Sequence, residues 1–106
     1  MDIEKLKFKL KLFKKEDIVI TNHAKLQALT REIDLEEVKE NVANPEKLIY
    51  FEEQVSENKG EEKYDCYFAY SENLCHRYII VFSRKLIIVT IIKINRDWQR
   101  IMEGRK

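Results

Sequence analysis

A chain of 106 residues, 44% of them hydrophobic, has apolar material for one core and no length for a second domain. Its 20 Lys and Arg nearly cancel 19 Asp and Glu, leaving +1, which excludes a uniformly basic, histone-like protein; two Gly and one Pro argue against disorder, collagen and loop-rich scaffolds. Two cysteines, Cys66 and Cys75, do not make a disulfide framework, no apolar run is long enough to span a bilayer, and the charged start lacks a signal-peptide pattern, so a soluble, cytoplasmic protein with no membrane partner is expected.

Along the chain, Ile3 to Phe13 alternates Leu6, Phe8, Leu10 and Leu12 against Lys5, Lys7, Lys9 and Lys11, a period-two pattern that predicts a half-buried strand. After the short apolar stretch Ile18-Val19-Ile20, Thr21 or Asn22 can cap a helix running from about residue 22 to 32. Asp34 caps a second helix over 35–43, with Glu37 at the reciprocal position of a capping box, and Asn44-Pro45 ends it. Four strands follow: 48–55, 64–70, 77–82 and 86–94. The last two carry apolar residues at both parities, which predicts central strands covered on both faces. Asn95 can cap a short helix holding Trp98, Ile101 and Met102. The expectation is a single α+β domain over residues 1–106: a strand, two helices, a mainly antiparallel four-strand run and a short C-terminal helix.

Charge is segregated behind the small total. Residues 1–15 sum to +4, residues 16–62 to −8 and residues 63–106 to +5, so folding can produce a dipolar surface. If the Lys-rich segment is a strand, Lys5, Lys7, Lys9 and Lys11 project from one side every second residue. That spacing suits either phosphate contacts, for which Lys7 and Lys9 are the candidates, or a solvated edge protected from aggregation.

The first helix carries the chemistry that stands out. With His23 at zero on a wheel of 100° per residue, Gln27 falls at about 40°, Arg31 at about 80° and Thr30 at about −20°. A histidine able to exchange a proton near neutral pH beside a fixed cation is the minimum for acid–base cleavage of a phosphodiester. Further cations come from the sheet. A three-residue connection at Ser83–Lys85 would pair Phe82 with Leu86 and place Arg77 and Lys93 on one face; a two- or four-residue connection would reverse that parity. No Cys-x-x-Cys, His-x-x-x-His or Gly-rich phosphate loop is present, so neither a metal nor another cofactor is expected.

His23-Ala24, Arg31 with Ile33 two places on, Asp34, Glu36-Glu37-Val38, Asn44-Pro45 and the later Val89-Thr90 together resemble a family of small uncharacterised domains near the RelE/ParE-like toxins. The resemblance covers about residues 18 to 92. It implies a RelE-like order of helices followed by an antiparallel sheet, and a metal-independent ribonuclease paired with an antitoxin. On that view His23 is the general acid or base, Arg31 and Arg77 stabilise charge on phosphate, and Gln27 and Lys93 contact the RNA. Gln27 stands where the family often has a second Arg, and Glu32 where it often has Gly. Gln27, and with it the lack of a second positive residue on that helix, favours the alternative, a non-catalytic binding or dimerisation module that is a degenerate relative of such toxins, with a protein partner or a second copy in place of a substrate.

Overall fold

The computed structural model describes the backbone of residues 1–103 and the side chains of residues 1–100. It is an α+β domain with four helices and a five-stranded, mostly antiparallel sheet: α1 (Ile3–Lys11), β1 (Ile18–Ile20), α2 (Asn22–Thr30), α3 (Leu35–Ala43), β2 (Leu48–Gln54), β3 (Glu62–Ser71), β4 (Leu74–Phe82), β5 (Leu86–Ile94) and α4 (Trp98–Glu103). The strands lie in the order β1-β5-β4-β3-β2. Only β1, which pairs with β5, is parallel to its neighbour. No helix among the described residues is long and apolar enough to cross a membrane.

The first element corrects the sequence expectation: residues 3–11 form a helix, not a strand. The period-two pattern coexists with a helical one. Ile3, Leu6, Leu10 and Phe13 recur at three- and four-residue steps, and these are the residues that meet the core; Leu6 and Leu10 are fully buried. Phe8 and Leu12, which a strand would bury beside them, are 68% and 67% exposed. Lys and Leu are good helix formers, and Asp2 caps the helix by accepting from the Lys5 amide at 2.8 Å. A helix also disperses the lysines, because residues two apart point about 200° from one another.

The next two helices follow expectation. Thr21 Oγ1 accepts from the Ala24 amide at 3.2 Å and Asp34 Oδ1 from the Glu36 amide at 3.0 Å. The capping box does not close, because Glu37 is engaged with Tyr70 instead. Helix α2 ends with Glu32 in the left-handed region at φ +54°. The Ile33 amide donates to the Ala28 carbonyl at 2.8 Å and the Glu32 amide to Leu29 at 3.2 Å, the double closure of a glycine-type helix stop. This gives a physical reason for glycine at that position.

One face of the sheet holds the core. Tyr64, Cys66 and Phe68 of β3, Tyr78, Ile80 and Phe82 of β4 and Leu86, Ile88 and Ile91 of β5 pack with Leu6, Leu10, Ala24, Ala28, Val38 and Val42 of the helices. The other face is only partly covered by the described residues. Trp98 packs on Tyr67 and Cys75 and donates from Nε1 to the Ser71 carbonyl at 2.5 Å. Ile79, Val81, Ile87 and Ile92 stay half-buried and belong to neither packed cluster, so the expected cover on both faces of β4 and β5 is not found among the described residues. Asp97, rather than Asn95, accepts from the Arg100 amide at the start of α4. The expected contacts of Ile101 and Met102 lie outside the described side chains. Cys66 and Cys75 are buried on opposite faces of the sheet as free thiols.

Two stability measurements check this account. Leu6→Ala and Leu10→Ala should each lower the unfolding free energy by about 2–5 kcal/mol while Phe8→Ala changes it little; equal losses at all three positions would indicate a strand. Glu32→Gly should raise stability by about 1 kcal/mol in denaturant titration, because it relieves a left-handed conformation, and Glu32→Val should lower it.

Candidate functional site

The side chains singled out in α2 do not assemble a reaction centre. His23 is exposed on the helix surface. Arg31 sits eight residues on, about 12 Å along the axis, and is half-buried, with Nη1 donating to the Gln27 carbonyl at 3.4 Å. Gln27 is committed to the scaffold. The parallel pairing of β1 to β5 ends where the Thr21 amide donates to the Ile88 carbonyl at 3.1 Å. Beyond that point the β5 edge has no strand beside it, and Gln27 Oε1 accepts from the Ile91 amide at 2.9 Å. An amide there without a partner would be unfavourable by about 1–3 kcal/mol.

Arg77 is the clearest departure. Phe82 does pair with Leu86, as the three-residue connection predicts, but β5 carries one extra residue, Val89, between the Ile80–Ile88 and Ile79–Thr90 pairs. The bulge reverses the parity beyond it, so Arg77 pairs with Ile92 and His76 with Lys93. Lys93 is thereby turned to the helix face, while Arg77, next to Tyr78 in β4, lies by simple alternation on the face opposite the helices. Arg77 cannot join His23 and Arg31 around one phosphate. Its guanidinium forks onto the fully buried Asp65, with Nε to Oδ1 at 2.8 Å and Nη2 to Oδ2 at 2.5 Å, a geometry that holds both charges in place. Lys9 is likewise occupied, paired with Glu62 and lying 4.5 Å from the Phe82 ring centroid, and Lys7 is half-buried on α1.

Two constellations stand in place of the expected triad. The first is a cleft of about 470 Å3 at the C-terminal end of β5, on the partly open face, lined by Tyr67, Arg77, Ile92, Lys93, Ile94, Asn95 and Arg96. Lys93 borders the cleft, but its side chain points to the helix face beside His76, so the cation that the cleft offers an anion is Arg96, which forms no ion pair with a described residue.

The second is a buried polar chain between α3 and the sheet. Asn41 Nδ2 lies 2.7 Å from Tyr70 Oη and 3.0 Å from Tyr78 Oη, Tyr70 Oη lies 2.8 Å from Glu37 Oε2, and Tyr78 Oη lies 2.7 Å from His76 Nδ1. Each donor can be assigned by following the chain inward. A carboxylate only accepts, so the Tyr70 hydroxyl donates to Glu37 and must itself accept from Asn41. That fixes the amide with Nδ2 toward both tyrosines. Tyr78, accepting from Asn41, passes its own hydrogen to His76 Nδ1, and the ring proton resides on Nε2.

Protonating Nδ1 would leave the Tyr78 hydrogen without its acceptor. Burial lowers the His76 pKa below its ordinary value, Glu37 opposes this and Lys93 adds to it. Burial also raises the Tyr70 hydroxyl to about 12 and pushes Tyr78 up further, so both tyrosines stay protonated. His76 and Tyr78 share a face, as alternation predicts. In the sequence Glu37 reads only as a helix cap and Tyr70 and Asn41 carry no expectation, although a polar Asn41 on the buried Val38–Val42 side of α3 is a visible signal.

Comparison with known proteins yields no match: no family model, no curated protein and no solved structure matches the chain.

The buried histidine predicts an acid limb in stability. The unfolded chain takes up a proton as pH falls through ~6.5, while the folded chain, with its lower His76 pKa, does not. Unfolding free energy in urea should therefore be highest above pH 7 and fall progressively toward the folded-state pKa. His76→Gln should flatten that decline between pH 7 and 5.5, even if its stability at pH 7.5 is lower. An unchanged slope would show that His76 does not titrate in the way derived.

Proposed function

We propose that this domain is a RelE-like, toxin-type module that binds RNA on the partly open face of its sheet, as a non-catalytic relative of such toxins. The observation that carries the reading is the cleft at the end of β5, where Arg96 forms no ion pair with a described residue beside a face of half-buried aliphatic side chains. Cations without ion pairs attract a phosphate backbone, and an exposed sheet face gives bases a surface to lie on. The order of two capped helices before an antiparallel run, together with the His-Ala…Arg-x-Ile…Asn-Pro pattern, supports the RelE-like assignment by analogy of arrangement. Cleavage by His23, Arg31 and Arg77 is not part of the proposal, because Arg77 lies across the sheet from α2.

A protein partner is a second reading with its own observation. Leu26 and Leu29 of α2 are 62% and 76% exposed, next to His23. An antitoxin or a second copy of the chain would cover them, and sedimentation of wild type against Leu26→Ser/Leu29→Ser tests for the second copy.

The RNA reading is tested with a fluorescent single-stranded 12-mer titrated over a salt series. Binding should weaken with salt, Arg96→Gln should reduce the logarithmic slope by about 0.7, and Lys93→Gln, on the helix face, should leave it unchanged. The oligomer should remain intact in the presence or absence of chelator. Absence of salt-dependent binding would overturn the reading. RNA cleavage lost in His23→Ala would restore the metal-independent ribonuclease.

A further inference from the structure

His76 carries one hydrogen that no described residue accepts. Tyr78 Oη donates to its Nδ1 at 2.7 Å, so the ring proton sits on Nε2. The residue is 3% exposed, yet Nε2 has no partner among the described residues. No buried side-chain nitrogen or oxygen among those residues lacks a hydrogen-bond partner, so Nε2 is the point at which the ring reaches the surface. A neutral imidazole held in this way is a fixed N–H donor.

Two cations stand around that donor. Lys93 pairs with His76 across β4 and β5, and the two side chains lie next to one another on the helix face. Helix α2 supplies the second cation. Its Thr21 amide meets the Ile88 carbonyl and its Gln27 Oε1 meets the Ile91 amide, so about 9 Å of helix runs alongside about 10 Å of β5. Arg31, one turn beyond Gln27 and on the same side of α2, therefore comes level with Lys93, two residues beyond Ile91. Both cations are half-buried, and neither forms an ion pair with a described residue. The 3.4 Å contact of Arg31 Nη1 with the Gln27 carbonyl leaves the other guanidinium donors open. Of the acids at this end, Glu37 accepts from Tyr70 Oη at 2.8 Å and Asp34 from the Glu36 amide at 3.0 Å, while Glu32 is exposed at the corner after α2. The Tyr70 ring packs 4.7 Å from His76 and has Lys47 Nζ 5.4 Å from its centroid.

We propose that Arg31, Lys93 and the Nε2–H of His76 form a binding site for a small phosphate monoester at this end of the helix face. A monoester phosphate carries close to two negative charges at neutral pH, which match the two cations. Its three terminal oxygens can each take one of the three donors. A carboxylate or a phosphodiester brings a single charge and leaves one cation unmatched. The site lies on the opposite face from the Arg96 cleft and does not rest on the RNA reading.

The probe is methyl phosphate at neutral pH, followed through the His76 ring resonances by NMR. Dimethyl phosphate serves as the singly charged comparison, and chloride at matched ionic strength as the control. In wild type, methyl phosphate should shift the Nε2 nitrogen and its hydrogen saturably while Nδ1 stays unprotonated, and the other two anions should shift them little. Arg31→Gln and Lys93→Gln should each weaken methyl phosphate about tenfold, the effect of one lost charged hydrogen bond, and unchanged thermal melting verifies the fold of each variant. Full affinity retained in either variant would overturn the three-donor site. Ring resonances that respond no more to methyl phosphate than to chloride would overturn phosphate binding there altogether. Neither result bears on the RNA reading, which is tested on the other face with Arg96→Gln.

Discussion

The extra residue that β5 carries at Val89 sets the parity of every side chain beyond it, and much of the molecule follows from that shift. Before the bulge Leu86 and Ile88 face the helices; after it Ile91 and Lys93 do. In consequence Lys93 lies beside His76 on the helix face and away from Arg77, which alternation within β4 turns to the other face, where it meets Asp65. Just beyond the same point β1 gives way to α2, and the Gln27 side chain takes over as hydrogen-bond partner of the β5 edge. A bulge bends and twists its strand; here it also separates a part of β5 paired with a strand from a part satisfied by a side chain.

The two faces of the sheet solve the problem of buried polarity differently. On the helix face, His76, Tyr78, Asn41 and Tyr70 form a relay that ends at the surface on Glu37, so both tyrosine hydroxyl hydrogens and both Asn41 amide hydrogens find acceptors. Such a chain favours one arrangement of α3 over the sheet, because a shift of the helix would leave several polar groups unpaired at once. On the other face a complete charge pair is used. Removing Arg77 alone would take the bidentate donor from a fully buried carboxylate and lower stability. Arg77 is for that reason part of the architecture first, and its loss would not report cleanly on ligand binding.

Much of the fold was legible in the sequence because its signals were local. Thr21 and Asp34 cap the helices they appeared to cap, Pro45 follows the end of α3, and the β-branched run from Tyr78 to Ile94 forms paired strands with the expected three-residue connection. The N-terminal segment misled because Leu6 and Leu10 satisfy both periods. Helix propensity and the Asp2 cap favoured the helix, and the alternation of Lys concealed it. The candidate site was less legible for a different reason. Wheel angles on one helix fix direction but not what lies opposite, and whether Lys93 shares a face with Arg77 depended on one bulge that no residue type announces. The Asn41–Tyr70 contact joins residues 29 apart in the chain, beyond the reach of local spacing.

The two margins of the sheet are unequal. At one, β1 offers only three residues and the next β5 amide is already taken by Gln27; at the other, β2 runs for seven residues with a hydrogen-bonded neighbour on one side only. A sheet with one closed margin can add strands in one direction alone. If two copies join β2 to β2 in antiparallel fashion, the contact is isologous and uses up the open margin of both. The result is a ten-stranded sheet across a two-fold axis with a closed margin at each end, so growth of this kind stops at two chains.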